Sequence, residues 1–218
     1  MIPVVVCAHN EGPRVGAVVK VLIASKLFSP VLVVDDGSSD NTAEAAKNAG
    51  AKVLKLNPNR GKGSAMQAGW RATGSGDVAF IDADLKNLSQ EHLQRLYEGY
   101  LAGYDMSCGM QDYLPILTAT YPLFPLITGQ RIVRKRVLEN MPSNCWDGYN
   151  VEIAMNHACD KIGGKTYLCI LPGLLNTLKE SKSGGVLSGL RSNYKMLSGI
   201  FRTKRVLRGT GGFSCKRQ

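Results

Sequence analysis

Two aspartates separated by one alanine close an apolar run in "FIDADLKN", at Asp82 and Asp84. Carboxylates this close raise each other's cost of ionisation. A hard divalent ion such as Mg2+ or Mn2+ relieves that cost, because it takes a few carboxylates together with substrate phosphate oxygens. A polar strand end leading into a helix cap accounts for the same residues without any ligand. The decision therefore rests on what the rest of the chain sets beside them.

Three further clusters have chemical potential. "VVDDGSSDNT" places Asp35 and Asp36 at the end of an apolar run and before a turn, where a carboxylate can accept hydrogen bonds from a base or a ribose. Asp40 and Thr42 in the same stretch read as caps of the following helix. "NRGKGSAMQAG" opens a helix with Gly61 and Gly63 beside Arg60 and Lys62, so exposed backbone N–H groups and cations meet at a helix start, which suits a phosphate. It lacks the GxxxxGK[ST] spacing, which excludes an ATPase-type loop. "AHNEG" follows the first apolar run.

The elements that must position these clusters alternate regularly. Runs at 2–7, 31–35, 52–56 and 78–82 read as strands buried on both faces, with helical patterns at about 13–26, 41–49 and 62–73 between them. This rhythm predicts an α/β fold with a mostly parallel sheet flanked by helices. Ligands in such sheets bind beyond the carboxyl ends of the strands, and all four clusters fall there. A helix at about 89–102, a strand at 105–110, a helix at 150–161 and a strand at 166–171 follow, and "LPGLLNTLKESKSGG" (171–185) reads as a turn. The uncharged segment 113–129 contains Pro115, Pro122 and Pro125, which forbid a continuous helix and predict a covering loop.

Composition narrows the class. The net charge of +10 comes from a tail: residues 181–218 hold nine Lys or Arg and no acid, leaving 18 basic against 17 acidic residues, or +1, in the first 180. The six cysteines form no CxxC pair and read as reduced residues, without a disulfide framework or a metal-ligand spacing. No apolar stretch approaches the roughly 18 residues of a membrane span, and no basic, cleavable leader opens the chain, so a cytoplasmic location is expected. In the tail, Leu190, Tyr194, Leu197 and Phe201 follow helical spacing while Arg191, Lys195, Arg202 and Arg205 fill other faces. A basic amphipathic helix of this kind either docks on its own domain or lies on an anionic membrane surface. The apolar segment at 113–129 tips the expectation toward peripheral association at the inner face of a membrane. Nucleic acid is not expected, since no recognised module accompanies the tail and its aromatics are sparse.

Together, "VVVCAHNEG", "VLVVDDGSSDNTAEAA", "NRGKGSAMQAG" and "FIDADL" resemble the nucleotide-sugar domain of family 2 glycosyltransferases with the GT-A fold, a group that includes dolichyl-phosphate mannosyltransferases and enzymes like glucosyl-3-phosphoglycerate synthase. "TGQRIVRKRVLENMP" and "DGYNVEIAMNHA" resemble its acceptor half. The resemblance implies a GT-A domain over 1–180, with a nucleotide-sugar half at 1–110 and an acceptor half at 111–180, followed by the basic tail at 181–218. It implies that Asn10, Glu11 and Asp36 hold the base and ribose of a UDP- or GDP-sugar, with Ala8, Gly37 and Ala83 lining the same site. Lys62 would lie near nucleotide or sugar, Asp82 would fix ribose or metal through water, and Asp84 would ligate Mg2+ or Mn2+. Lys86 stands where lipid-phosphate mannosyltransferases carry a Gln, and Asn176 stands where the phosphoglycerate-type enzymes carry a histidine ligand, so Asn176 is a weaker candidate third ligand. Gly129, Gln130 and Arg131 are candidates for binding an acceptor or its phosphate, Arg131 by a bidentate contact. Asp147 and Glu152 are candidates for a general base, with a buried arginine partner as the alternative role for Glu152. The activity implied is cation-assisted transfer of a sugar to a polyprenyl phosphate or a membrane-proximal glycan. Its rivals are a soluble, retaining enzyme of the glucosyl-3-phosphoglycerate synthase type and a non-catalytic nucleotide-sugar-binding scaffold.

Overall fold

The computed structural model describes residues 1–111, 128–142, 145–146 and 151–176. Residues 113–127 of the loop expected at 113–129, Asp147 and the tail helix lie outside the described residues. In chain order the elements are β1 (Ile2–Ala8), α1 (Gly12–Ser25), β2 (Phe28–Asp36), α2 (Thr42–Asn48), β3 (Lys52–Leu56), α3 (Lys62–Ala72), β4 (Val78–Asp82), β5 (Leu85–Lys86), α4 (Gln90–Leu101), β6 (Met106–Gln111), β7 (Arg131–Val133), α5 (Lys135–Glu139), α6 (Val151–Lys161), β8 (Thr166–Leu171) and β9 (Leu175–Asn176).

Seven strands form one sheet in the order β3-β2-β1-β4-β7-β6-β8, and β5 and β9 form a two-stranded ribbon. Every pairing in the large sheet is parallel except those of β7 with β4 and β6. The sheet is buried on both faces because successive side chains point to opposite sides of a strand. Val4, Val6, Val33, Ala79 and Ile81 join α1 and α4 in one core through Val15, Val18, Val19, Leu22, Leu93 and Leu96. Val5, Leu32, Val34, Val78 and Phe80 join α3, α5 and α6 in the other through Ala65, Met66, Val137, Leu138, Ala154 and Met155. Each Val, Leu, Ile, Met or Phe among them, fully buried, contributes about 1.5–3 kcal/mol. Gly69 lets α3 lie flat on β1 and β2, since a Cβ there would overlap Val5.

The predicted strands and helices of residues 1–111 appear with boundaries moved by at most three residues, and Ser89 caps α4 through the His92 amide. Four short elements are unexpected: β5, β7, α5 and β9. The stretch read as a turn after 171 contains β9, and "RIV" is a strand, β7. Strand β7 is only three residues long and runs against its neighbours. Its reversal carries residues 128–130 to the edge of the sheet where the parallel strands end. The two expected halves of the domain thus share a single sheet.

Candidate active site

The loops after β1, β2 and β3 are tied to one another by carboxylates that accept backbone N–H groups. Asp36 is buried, and its two carboxylate oxygens take the amides of Arg60 and Gly61, each at 2.8 Å. Its carbonyl accepts from the Asn59 side chain at 2.9 Å and from the His9 ring at 2.9 Å. Asp35 accepts the Ser38 amide at 3.0 Å, and Asp40 accepts those of Gly12 and Thr42, each at 3.0 Å. Hydrogen bonding by its Thr42 and Gly12 partners, against a burial cost that acts the other way, holds Asp40 below the usual carboxylate range. Asn10 sits at a left-handed φ of 56° and accepts the Ser39 amide at 2.9 Å. Gly37 has φ 70°, and a Cβ there would lie 2.7 Å from the Asn59 nitrogen, so both space and dihedral call for glycine. Glu11 is buried with Arg14 on its carboxylate at 2.6 Å. Asp36 therefore shapes the glycine-rich start of α3 directly, a role that its spacing in the sequence does not reveal.

Beside these loops, Lys62 lies between two carboxylates, at 2.8 Å from Asp82 and 2.8 Å from Glu152. Burial disfavours the Lys62 ammonium, but the charges of Asp82 and Glu152 outweigh it and hold its pKa above the ordinary lysine value. Burial alone would raise the pKa of Asp82; the Lys62 charge and the Lys62 and Gln130 hydrogen bonds reverse this and keep it ionised. Cys7, on the end of β1, lines the same crevice with Gly129, and burial pushes its thiol well above the ordinary range. Glu152 is buried, and its second carboxylate oxygen has no hydrogen-bond partner among the described residues. The buried arginine partner considered for the Glu152 side chain is thus a lysine; an arginine reaches only its backbone carbonyl, from Arg131 at 3.3 Å.

Two acceptor assignments meet a different geometry. Arg131 is fully buried, donating to the Thr128 carbonyl at 2.9 Å and to the Asn156 side chain at 3.1 Å, so its guanidinium ties residue 128 to α6, with Nη2 unpartnered among the described residues. Gln130 is also buried, and its amide donates to Asp82 at 2.9 Å. The register Phe80↔Arg131, continued by two residues, sets Gly129 across from Asp82, and a Cβ at Gly129 would overlap that carboxylate. Thr128 and Gln111 enter the site without having been singled out in the sequence. Gln111 donates to the Asn176 amide oxygen at 2.5 Å.

Asp84 is half-buried at the tip of β4, and pairing of Leu85 with Asn176 brings β9 alongside it. Among the described residues there is no group of three or more His, Cys, Asp or Glu able to hold a metal. The donor set instead fits an ion shared with substrate: the Asp84 carboxylate at the strand tip, Asp82 held by Lys62, and Asn176 with its oxygen taken by Gln111. Mg2+ is ordinarily held in that way, by one or two carboxylates and the phosphates it bridges.

The family model for glycosyl transferase family 2 matches residues 4–151. The chain belongs to this family. Among similar proteins, an undecaprenyl-phosphate 4-deoxy-4-formamido-L-arabinose transferase of Edwardsiella ictaluri is 38% identical over 116 residues, 48% of this chain and 35% of that one. A 4,4'-diaponeurosporenoate glycosyltransferase of Staphylococcus aureus is 29% identical over 116 residues, 50% of this chain and 31% of its own length. The chain thus spans about a third of the length of these relatives. Among solved structures, glucosyl-3-phosphoglycerate synthase from Mycobacterium tuberculosis, in complex with Mn2+, UDP and glucosyl-3-phosphoglycerate, superposes with a TM-score of 0.69 at 26% identity, covering 88% of this chain and 79% of that one. The family's fold is thereby that of the present sheet, a GT-A-like α/β domain. No described helix of this family member is long and apolar enough to cross a membrane.

Proposed function

We propose that this chain transfers a sugar from a UDP- or GDP-sugar to an acceptor oxygen, with Mg2+ or Mn2+ assisting, and that the acceptor is a polyprenyl phosphate or a membrane-proximal glycan. The observation that carries this reading is the Lys62 ammonium held between Asp82 and Glu152 where the strands of the sheet end. In the reaction the acceptor oxygen bonds to the anomeric carbon, the bond from that carbon to the diphosphate breaks, and the diphosphate leaves with the electron pair. Lys62, kept protonated by its two carboxylates, supplies a fixed positive charge for that leaving group. Asp84, with Asp82 and Asn176 nearby, would hold Mg2+ or Mn2+, which when bound would supply Lewis-acid neutralisation of the same charge. Asn10, Glu11 and Asp36, with Ala8, Gly37 and Ala83, form the nucleotide side. Glu152 has one oxygen free to accept a proton or a hydroxyl hydrogen bond; a phosphate acceptor is already ionised and needs no base. Asp147 remains a second candidate base.

The polyprenyl-phosphate reading is supported by the arabinose transferase relative, whose name specifies undecaprenyl phosphate. A soluble enzyme acting on a small phosphorylated acceptor is the second reading, supported by the coverage of 79% of the phosphoglycerate synthase. Isothermal titration with UDP and GDP, with and without Mn2+, tests the shared claim: metal-dependent binding of one nucleotide is expected, and none would overturn it. Product analysis with a panel of sugar nucleotides and the two acceptor types then separates the readings, and binding without turnover would leave a scaffold. Loss of liposome flotation on deleting residues 187–218 is expected if the tail reaches a membrane surface.

A further inference from the structure

Gln130 stands next to the site yet presents nothing to it. Its side chain is buried, its amide nitrogen donates to Asp82 Oδ2 at 2.9 Å, and its amide oxygen lies 2.9 Å from the Thr128 hydroxyl. The orientation of the amide follows from its neighbours, since an ionised carboxylate only accepts hydrogen bonds. The single Thr128 hydroxyl proton is shared between Gln130 Oε1 and the Gly109 carbonyl, the latter at 2.6 Å, which anchors the arrangement to β6. On the other side of the carboxylate, Lys62 holds Asp82 Oδ1 at 2.8 Å. Between them the backbone of Gly129 lies so close that a methyl group there would overlap the carboxylate.

We infer that Gln130 is a positioning residue rather than an acceptor contact: with Thr128 and Gly129 it clasps one oxygen of Asp82, so that the other is presented to Lys62. The two oxygens of Asp82 are divided between a neutral donor and a cation, and both are needed to define a single rotamer. Without the amide, Asp82 is free to turn, and Lys62 follows it or shifts toward Glu152. The residue acts through Asp82 on the charge that meets the diphosphate. This inference rests on the nucleotide-binding reading of the site, but part of its test does not.

The experiment measures UDP and GDP affinity with Mn2+ and no acceptor present, in the native chain, Gln130→Leu, Thr128→Val and Thr128→Ser. A positioning role predicts that Gln130→Leu weakens nucleotide binding about tenfold, the size of a lost hydrogen bond to a charged group. Thr128→Val is expected to fall between, and Thr128→Ser, which keeps the hydroxyl, to match the native chain. Unchanged nucleotide affinity in Gln130→Leu would overturn the inference, because an acceptor contact has no effect when acceptor is absent. The ligand-independent arm is reductive methylation read by mass spectrometry: Lys62 is expected to react faster in Gln130→Leu relative to the exposed Lys20 of the same molecule. Lys20 corrects for reagent and time, a melting temperature read on the same variant reports general loosening, and an unchanged ratio at unchanged melting temperature would sink the clasp. Should the native chain bind neither nucleotide, the functional reading fails while the methylation ratio still decides the inference.

Discussion

The two sides of the crevice are built on different principles. Under β1–β3, carboxylates accept backbone amides: Asp36 from Arg60 and Gly61, Asp35 from Ser38, Asp40 from Gly12 and Thr42. Under β4, β7, β6 and β9, side chains hold side chains: Glu152, Lys62, Asp82, Gln130 and Thr128 in one chain of contacts, Gln111 and Asn176 in another pair. A backbone donor comes with every non-proline residue, so the first side tolerates changes of neighbouring side chains. The second depends on particular atoms meeting from distant parts of the chain. The difference teaches where substitutions will be felt.

The largest expected effect falls on the second side. Lys62→Met leaves Asp82 and Glu152 facing each other without their shared cation, and breaking such a buried pair costs about 3 kcal/mol. Urea denaturation should show this loss, Glu152→Gln in the same chain should recover part of it, and nucleotide binding should vanish. If Lys62→Met is as stable as the native protein, the two sides do not differ as described. Gly129→Ala comes next, since the added methyl meets the Asp82 carboxylate; overpacking of this kind costs about 1–3 kcal/mol, and the melting temperature and nucleotide affinity should fall together. Asp36→Asn sharpens the contrast from the first side. It keeps one acceptor for the Arg60 and Gly61 amides while removing the charge, so a loss of about 1 kcal/mol in stability is expected, with weaker nucleotide binding read by calorimetry.

The smallest effect is a pH dependence. The folded pKa of Asp82 lies below its ordinary value of 3.8, so its contribution is present above that value and is lost as pH falls through the folded pKa. That of Lys62 lies above the ordinary 10.5, so its contribution is full below 10.5 and is lost as pH rises through the folded pKa. Urea midpoints across pH should therefore form a plateau with falling limbs, and Asp82→Asn should flatten the acid limb. A limb unchanged in Asp82→Asn would assign it to other groups.

The same division decides what can be read from the sequence. The parallel strands of the first half, the helix starts and the clustering of "AHNEG", "DDGSSD", "NRGKG" and "DAD" at strand ends all follow from local periodicity and turn chemistry. Glycine at 61 and 63 signals a helix start, and Asp82 and Asp84 announce themselves by their spacing. Strand β7 escapes because three residues carry no period, and with it go the placements of Gly129, Gln130 and Arg131. The acceptor contacts of Gln130 and Arg131 are implied by the resemblance, and nothing in the local pattern around "GQR" signals that both side chains are buried. Glu152 and Lys62 lie ninety positions apart in sequence, and only the core that α6, α3 and β4 share brings them together. The strongest available hint was Gly129 beside two long polar residues, which marks a close approach of backbone to something bulky.

The reversed strand has a consequence for how this protein can diverge. Residues on β7 alternate between the two faces of the sheet, so losing or gaining one amino acid within Arg131–Val133 would exchange the faces. Arg131 would swing out of the interior, and a side chain would replace Gly129 opposite Asp82. Insertions are cheapest in a loop, but here the reading frame of three residues is locked to the Asp82 carboxylate, so a lineage that alters it must rebuild that contact from elsewhere in the chain.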